Sequence, residues 1–343
     1  VTLYLDRITP EACVETVVLG GGSWGTALAD VLARKGEAVR LWARREDVVR
    51  DISESRRNSR YLPGQALSPN LRADSDLAAV LREASCVVLA VPSQSLGGFL
   101  RENRMLFPVG MDYVCASKGV ELGTFRTMRQ VVEQELAGRD PRYAVLSGPS
   151  FATEVVAGMP TAVALACEDR DLGDRVQALF STTSFRVYVN SDVTGVELGG
   201  AVKNIMAIAS GISDGLGFGQ NARAALITRG LSEMSRLGEA MGAQPATFMG
   251  LSGMGDLVLT CTGDMSRNRR VGLAIGQGKS LAEILAGMHN VAEGVKTTES
   301  VHALGQRLGI ELPITEQVHA VLFEGKDPAG AVQELMTRPL REE

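Results

Sequence analysis

Between Leu19 and Thr26 the chain reads Gly20-Gly21-Gly22-Ser23-Trp24-Gly25, and this run limits the fold more than any other feature. Residues 16–19, Thr-Val-Val-Leu, suit a short buried strand, and 26–35 carry helical periodicity closed by Gly36 as a C-cap. The 20, 22, 25 spacing then gives each glycine a separate role. Gly20 permits a tight turn, Gly22 lets backbone approach a pyrophosphate, and Gly25 lets the helix close on the strand. The first helical amides would face the phosphates. Glycine spacing alone also occurs in structural turns. Its place between a strand and a helix predicts a nicotinamide dinucleotide site.

The rest of the chain extends this unit. Strand-like runs recur at 38–42, 86–91, 113–116, 143–146, 162–166 and 185–189, with a helix at about 76–83 and further helical patterns between them. A polar stretch at 44–68, ending near Pro63, Gly64 and Pro69, breaks the pattern once. Strands alternating with helices predict an α/β Rossmann-like domain with a mostly parallel sheet covered on both faces. After Asn190 no strand is expected, and Ala, Leu, Met and Gly recur at helical spacing to the end. A chain of 343 residues exceeds what one core usually serves. The expected division is therefore a flexible leader at 1–15, a dinucleotide-binding domain at 16–190 and an all-α domain at 191–343. The first helix of that second domain, about 193–213, is crowded with Gly199, Gly200, Ala201, Ala207 and Ala209, which implies tight packing between domains or subunits. Glu197, Lys203 and Asn204 interrupt it and argue against a membrane span.

Charge and thiols narrow the partners. The formal net charge is −5, so no general basic field exists for nucleic acid, and an anionic ligand must be met by local cations. The five cysteines form no C-x-x-C pair, which fits reduced thiols and a cytoplasmic protein with neither disulfide framework nor zinc site. Residues 1–15 lack the apolar centre of a signal peptide.

At the end of the second strand, where a carboxylate would recognise a free ribose, the chain carries Arg44 and Arg45. That points to a 2′-phosphate and to NADP over NAD, although Glu46 and Asp47 follow at once and leave NAD use open. Ala90-Val91-Pro92-Ser93 ends another strand and either borders the cofactor or simply starts a helix on its proline. For proton transfer, His289, His302 and His319 all lie late and outside any dense polar cluster. Lys203 is the better candidate: it sits in an apolar helix where desolvation and neighbouring cations lower an amine pKa, the alternative being a lysine that snorkels to the surface. Lys118 in Ser117-Lys118-Gly119, and the turn Ser147-Gly148-Pro149-Ser150, each end a strand and offer cation or amides to an anion, or are plain turns. A polar stretch from Asp256 to Arg270, with Thr260, Ser266, Arg267, Asn268 and Arg269, has the composition of a phosphate clamp.

Taken in order, Gly-Gly-Gly-Ser-Trp-Gly-Thr-Ala-Leu-Ala, Ser-Lys-Gly, Ser-Gly-Pro-Ser-Phe-Ala, Val-Lys-Asn, and Gly-Asp-Leu-Val-Leu-Thr-Cys-Thr followed by Ser-Arg-Asn-Arg closely resemble the bacterial NAD(P)-dependent glycerol-3-phosphate dehydrogenases over about residues 16–338. The resemblance implies reversible conversion of sn-glycerol 3-phosphate and dihydroxyacetone phosphate, supplying the backbone of glycerophospholipids, by an enzyme that is often a homodimer. It makes Lys203 the proton donor or acceptor. It gives substrate contacts to Lys118, Gly148, Ser150, Lys203, Asp256, Thr260, Ser266, Arg267 and Asn268. Cofactor contacts would come from Gly20, Gly22, Ser23, Trp24, Gly25, Arg44, Arg45, Lys118, Ala152, Arg267, Val291 and Glu293. Asp256 is expected to orient Lys203, because a carboxylate of ordinary pKa is a poor proton donor at neutral pH. Two departures from the family stand out: a longer leader, and the Arg44-Arg45 pair at a position that sets NADP preference. The alternatives are a 3-hydroxy acid or sugar acid dehydrogenase of the same plan, or a non-catalytic dinucleotide sensor. Lys118, Lys203 and Asp256 together argue against the sensor.

Overall fold

The computed structural model describes residues 15–288 and 292–339. Eight strands, β1 (Glu15–Leu19), β2 (Val39–Trp42), β3 (Arg72–Asp74), β4 (Ala84–Leu89), β5 (Asp112–Cys115), β6 (Arg142–Ser147), β7 (Thr161–Cys167) and β8 (Phe185–Asn190), form one sheet in the order β3-β2-β1-β4-β5-β6-β7-β8. The first six run parallel, so the alternating pattern is correctly read as a mostly parallel sheet. β7 runs antiparallel to β6, and β8 parallel to β7. The connection from β6 holds a single five-residue helix, Ala152–Val156. At about 1.5 Å per residue that helix is too short to carry the chain back along the sheet, so β7 starts where β6 ends.

Two local differences from the sequence reading concern edges. β1 begins at Glu15, inside the expected leader, because Glu15 pairs with Ala84 across a register shift before Thr16 and its carboxylate reaches Arg40 of β2 at 3.1 Å. β3 has only three residues, Arg-Ala-Asp, with no apolar alternation to betray it; backbone pairing of Arg40 with Arg72 through Trp42 with Asp74 makes it a strand.

Side chains of adjacent strand positions fall on opposite faces. Val18, Val88, Val114 and Leu146 pack under Leu28 and Leu32 of the Ser23–Lys35 helix and Phe180 of the Arg170–Phe180 helix. Val17, Leu19, Val87, Leu89 and Tyr113 pack with Leu96, Leu100, Val131 and Val132 on the other face. Beyond β8 the described chain is helical throughout. The helix Val193–Gly215 starts with Val193 and Val196 in the second sheet core, then passes from Leu198 to Ile212 into a third core built mainly from helices, with Val120 of the loop after β5. Among the described residues no helix is long and apolar enough to cross a membrane.

That helix crosses the helix Arg267–Gly276 at backbone contact. A Cβ on Gly211 would stand 2.0 Å from the Arg269 carbonyl oxygen, and one on Gly272 would stand 2.0 Å from that of Ile208. Gly215 and Gly276 repeat the arrangement one turn on, each 2.5 Å from a carbonyl oxygen of the opposite helix. These four glycines are not among the small residues singled out in the sequence; of those, Gly199 makes a comparable close contact within the chain, a Cβ on it falling 2.6 Å from the Ser252 carbonyl oxygen. Gly211→Ala or Gly272→Ala should force the helices apart and destabilise by about 2 kcal/mol or more. Gly98→Ala, in a helix where nothing lies within 4 Å of the added methyl, should be neutral or stabilising. Urea denaturation of the three variants checks the contrast.

Candidate active site

The sheet changes winding direction between β1 and β4, and in such sheets the ligand crevice opens at the carboxyl ends of those two strands. The glycine turn lies there. Gly20 has φ of 129°, and a Cβ on it would fall 2.5 Å from the Ala90 carbonyl oxygen; a Cβ on Gly25 would fall 2.0 Å from that of Gly20. Gly22 differs, since nothing lies within 4 Å of a Cβ placed on it. As N-cap of Ser23–Lys35 it brings no capping side chain, so the amides of Ser23 and Trp24 have no acceptor among the described residues. The indole Nε1 of Trp24 is likewise buried without a partner among them. An open side facing unpaired amides fits the pyrophosphate of a dinucleotide.

At the end of β2 the two arginines part company. Arg45 makes a bidentate pair with Asp47, Nε to Oδ1 at 2.9 Å and Nη2 to Oδ2 at 2.8 Å. Arg44 is exposed and has no hydrogen-bond or ion-pair partner among the described residues, which leaves it the free cation beside the turn. The turn from Ala90 to Ser93 lies against Gly20 and starts the helix Ser93–Glu102, with Pro92 as its N-cap. The Ser93 amide donates to Glu293 Oε1 at 3.3 Å, tying the crevice to the helical part of the chain. Burial raises the Glu293 carboxyl above its ordinary range against the pull of Arg267, Lys118 and Lys203. Val291 and His289 lie outside the described residues.

Lys203, Lys118 and Asp256, far apart in sequence, meet at one point. Lys203 Nζ donates to Asp256 Oδ1 at 2.6 Å and to Thr260 Oγ1 at 2.9 Å, and Lys118 Nζ donates to the other carboxylate oxygen, Oδ2, at 2.8 Å. Lys118 also faces the Gly148 carbonyl at 3.5 Å, and the Ser150 hydroxyl donates to that carbonyl at 2.9 Å. Thr260 sits one turn after Asp256 on the helix Asp256–Thr262 and donates to its Oδ1 at 3.0 Å. Gly200, one turn before Lys203, makes room: a Cβ there would stand 2.6 Å from Ser147 Oγ and 3.4 Å from the Lys118 stem. The side chain of Lys203 is only 9% exposed, which excludes a snorkelling lysine. Burial, reinforced by the charge of Lys118 and opposed by Asp256, lowers its pKa to about 8. Burial pushes the Asp256 carboxyl up, yet the two ammonium groups outweigh it and hold it below the ordinary range. Two cations against one anion leave an excess positive charge, and an amine titrating near neutrality can give or take a proton.

The stretch after Asp256 supplies a second anion cradle. Ser266 caps the helix Arg267–Gly276 by accepting from the Arg269 amide at 3.2 Å, so the Arg267 and Asn268 amides stay unpaired among the described residues. Arg267 is partly buried, and burial lowers its pKa against the attraction of Glu293. Asn268 donates to Asn204 Oδ1 at 2.9 Å and accepts from the Gly294 amide at 3.1 Å, its second side-chain N–H having no acceptor among the described residues. Arg269 turns away to Asp214, at 2.7 Å, and to Asp264, at 2.9 Å. Of the arginine cluster, then, Arg267 is the one placed at the cradle. Asn204, noted in the sequence only as a polar interruption of an apolar helix, was not singled out as a site residue, although its place directly after Lys203 was the available signal. His302 and His319 stack on each other at 3.8 Å, with Glu316 and Glu324 as their charged neighbours. Ala152 opens its short helix after Gly148 and Ser150.

Known proteins match this arrangement along most of the chain. The family model for the NAD-dependent glycerol-3-phosphate dehydrogenase N-terminus matches residues 15–173, and that for the C-terminus matches 192–333. A glycerol-3-phosphate dehydrogenase (NAD(P)+) of Nitratidesulfovibrio vulgaris (strain DP4) is 60% identical over 330 residues, 96% of this chain and 100% of the relative. The crystal structure of a glycerol-3-phosphate dehydrogenase from Coxiella burnetii superposes with a TM-score of 0.92 at 46% identity, covering 96% of this chain and all of that one. A D-mandelate dehydrogenase solved with NADH, 13% identical over 91% of this chain and 98% of that one, shares the fold with a TM-score of 0.60.

Removing the carboxylate tests the electrostatics without reference to any reaction. In Asp256→Asn the opposing anion is gone while burial and Lys118 remain, so the Lys203 pKa should fall below about 8. A pH titration of the Lys203 side chain by heteronuclear NMR reads it; an upward shift would reverse the assignment of causes.

Proposed function

This chain belongs to the NAD-dependent glycerol-3-phosphate dehydrogenase family, and we propose that it interconverts sn-glycerol 3-phosphate and dihydroxyacetone phosphate, with Lys203 moving the proton. The observation that carries the reading is the buried Lys203–Asp256–Lys118 group beside a helix N-terminus that bears Arg267 and Asn268. The nicotinamide of NADP or NAD, when bound, supplies or accepts the hydride. In reduction the Lys203 ammonium gives its proton to the developing C2 alkoxide, and in oxidation the neutral amine takes the hydroxyl proton. Lys118 adds a second cation to stabilise the alkoxide. Asp256 orients: both of its oxygens already hold lysines. Thr260 fixes the Lys203 amine from the other side.

Arg267, the free amides beside it, the remaining N–H of Asn268, the hydroxyls of Ser266 and Ser150, and Gly148 form the set that holds the phosphate dianion. A phosphate clamp of this kind favours the phosphorylated triose over 3-hydroxy acids and sugar acids, which carry no such group. The lowered Lys203 pKa likewise favours an enzyme over a silent sensor.

Gly20, Gly22, Ser23, Trp24 and Gly25 cradle the pyrophosphate, with Ala152, Lys118, Arg267 and Glu293 toward the nicotinamide end. Arg44, the unpaired cation, receives a 2′-phosphate, which makes NADP the preferred cofactor; Arg45, held by Asp47, contributes less. The dinucleotide-binding and substrate domains divide near residue 190, between β8 and the Lys203 helix. The reaction serves glycerophospholipid synthesis in the cytoplasm. A homodimer is favoured by large apolar side chains left exposed in the helical part, among them Met249 at 61% and Phe218 at 44%.

Lys203→Ala should lower kcat by a factor of about 10² or more, as loss of a general acid does, with the NADPH Kd nearly unchanged; near-normal turnover would reject the role. In the parent enzyme, glycerol 3-phosphate oxidation should rise as pH increases through about 8, where Lys203 loses its proton, and dihydroxyacetone phosphate reduction should fall over the same interval. Initial rates from about pH 6 to 10, with unphosphorylated dihydroxyacetone as the control for the phosphate clamp, measure both limbs. For the cofactor, Arg44→Asp with Arg45→Ser should weaken NADPH binding more than NADH binding in a direct titration.

A further inference from the structure

The polar stretch after β2, which interrupts the strand and helix pattern, holds one side chain that the reaction leaves unassigned. Asn58 is fully buried, and its Nδ2 donates to two groups of the dinucleotide unit: the Gly21 carbonyl at 3.0 Å and Thr26 Oγ1 at 2.9 Å. Its Oδ1 accepts from the Tyr61 amide at 3.3 Å, and its own carbonyl accepts from the Leu62 amide at 2.8 Å. The next residue, Ser59, is tied to Asp51 by its amide at 2.7 Å, and Ser68 is tied to the buried Asp30 of the Ser23–Lys35 helix at 2.6 Å. The loop is therefore stitched to itself and to that helix, with the Asn58 amide group reaching into the glycine turn.

We propose that Asn58 is a positioning residue for the pyrophosphate cradle, an inference that rests on the dinucleotide reading of the turn. In a trans peptide the carbonyl and the following N–H point in opposite directions. Holding the Gly21 carbonyl from behind thus fixes the Gly22 N–H to the opposite side. Three neighbours close off the rest of the turn. A Cβ on Gly21 would meet Ala43 at 2.5 Å, one on Gly20 would meet Ala90, and one on Gly25 would meet Gly20 itself. Gly22 alone faces open space, and its amide has no acceptor among the described residues. By gripping Gly21 and Thr26 together, Asn58 also locks the turn to the first turn of the helix whose free amides complete the cradle. The pyrophosphate is common to both cofactors, so this contribution does not discriminate between them. Arg44, by contrast, acts on NADP alone.

The test is direct titration of the full-length protein with NADPH and with NADH. Asn58→Asp keeps the shape and replaces the donor by an acceptor facing two oxygens, which should raise both dissociation constants together by about tenfold or more. The KM for glycerol 3-phosphate at saturating cofactor should move by less than about threefold, a split that general loosening of the fold would not produce. Thr26→Val removes the second acceptor and should raise both constants by about threefold, while Thr26→Ser, which retains the hydroxyl, should restore them. Asn58→Asp that binds both cofactors like the parent, or that only lowers the melting temperature, overturns the proposal. Should that variant not fold, Thr26→Val decides: unchanged binding overturns the proposal and weakened binding of both cofactors upholds it. A parent protein that binds neither cofactor would instead overturn the dinucleotide reading itself.

Discussion

One carboxylate, almost wholly buried and held between two ammonium groups, is the interaction on which the catalytic half of this molecule depends. Removing any of these charges from water is costly, and the cost is offset only when geometry and additional hydrogen bonds are good. Asp256 meets that condition with a lysine on each oxygen and a hydroxyl from Thr260. The group still carries one positive charge too many. A site of that kind has room for an anion, and the depressed pKa of Lys203 comes first from its burial, with Lys118 adding to the effect and Asp256 opposing it. The same burial that makes the site expensive to fold is what makes an amine, ordinarily protonated throughout the physiological range, available as a base.

Such a group holds only if its three contributors are delivered from rigid elements. Lys203 rides a helix that begins in a sheet core and continues through the helical core, so its position is referred to both. The neighbouring cradle is fixed to it by the glycine crossing, where the two backbones touch at Gly211 and Gly272. A hydrogen-bonded chain from the Gly200 carbonyl through Asn204 and Asn268 to the Gly294 amide then adds a third helix. Arg269 serves the same end from the far side by pairing with Asp214 of the Lys203 helix. Polar groups that look alike in the bare sequence are thus divided between holding the frame and facing the ligand, and Asn268 does both.

This division explains what was legible in the sequence. The glycine turn, the apolar strands and the lone lysine in an apolar helix each carry their meaning in local spacing, and all three fall where that spacing places them. The direction of β7 and the existence of β3 depend instead on the length of a connection and on backbone pairing, which leave no pattern in side chains. Arg44 and Arg45 are equivalent in the sequence; only Asp47, folding back two residues on, separates them. Asn58 lies 37 residues from the carbonyl it holds, in a segment whose composition reads as plain loop.

The two anion cradles are built on the same element, a helix N-terminus, but are finished in opposite ways. The first is capped by Gly22, which contributes no side chain and leaves the amides to the ligand; the second is capped by Ser266, which occupies one amide and keeps its hydroxyl proton available. A pyrophosphate needs close backbone approach along an extended surface, and a terminal phosphate needs convergent donors around one centre. The caps therefore match the shapes of their proposed ligands as well as their charge. Between them stands Glu293, hydrogen-bonded to Ser93 at the sheet crevice and sharing its surroundings with Arg267, Lys118 and Lys203. The proposed cofactor and substrate sites are joined at Glu293, which belongs to the helical part by sequence and to the crevice by contact.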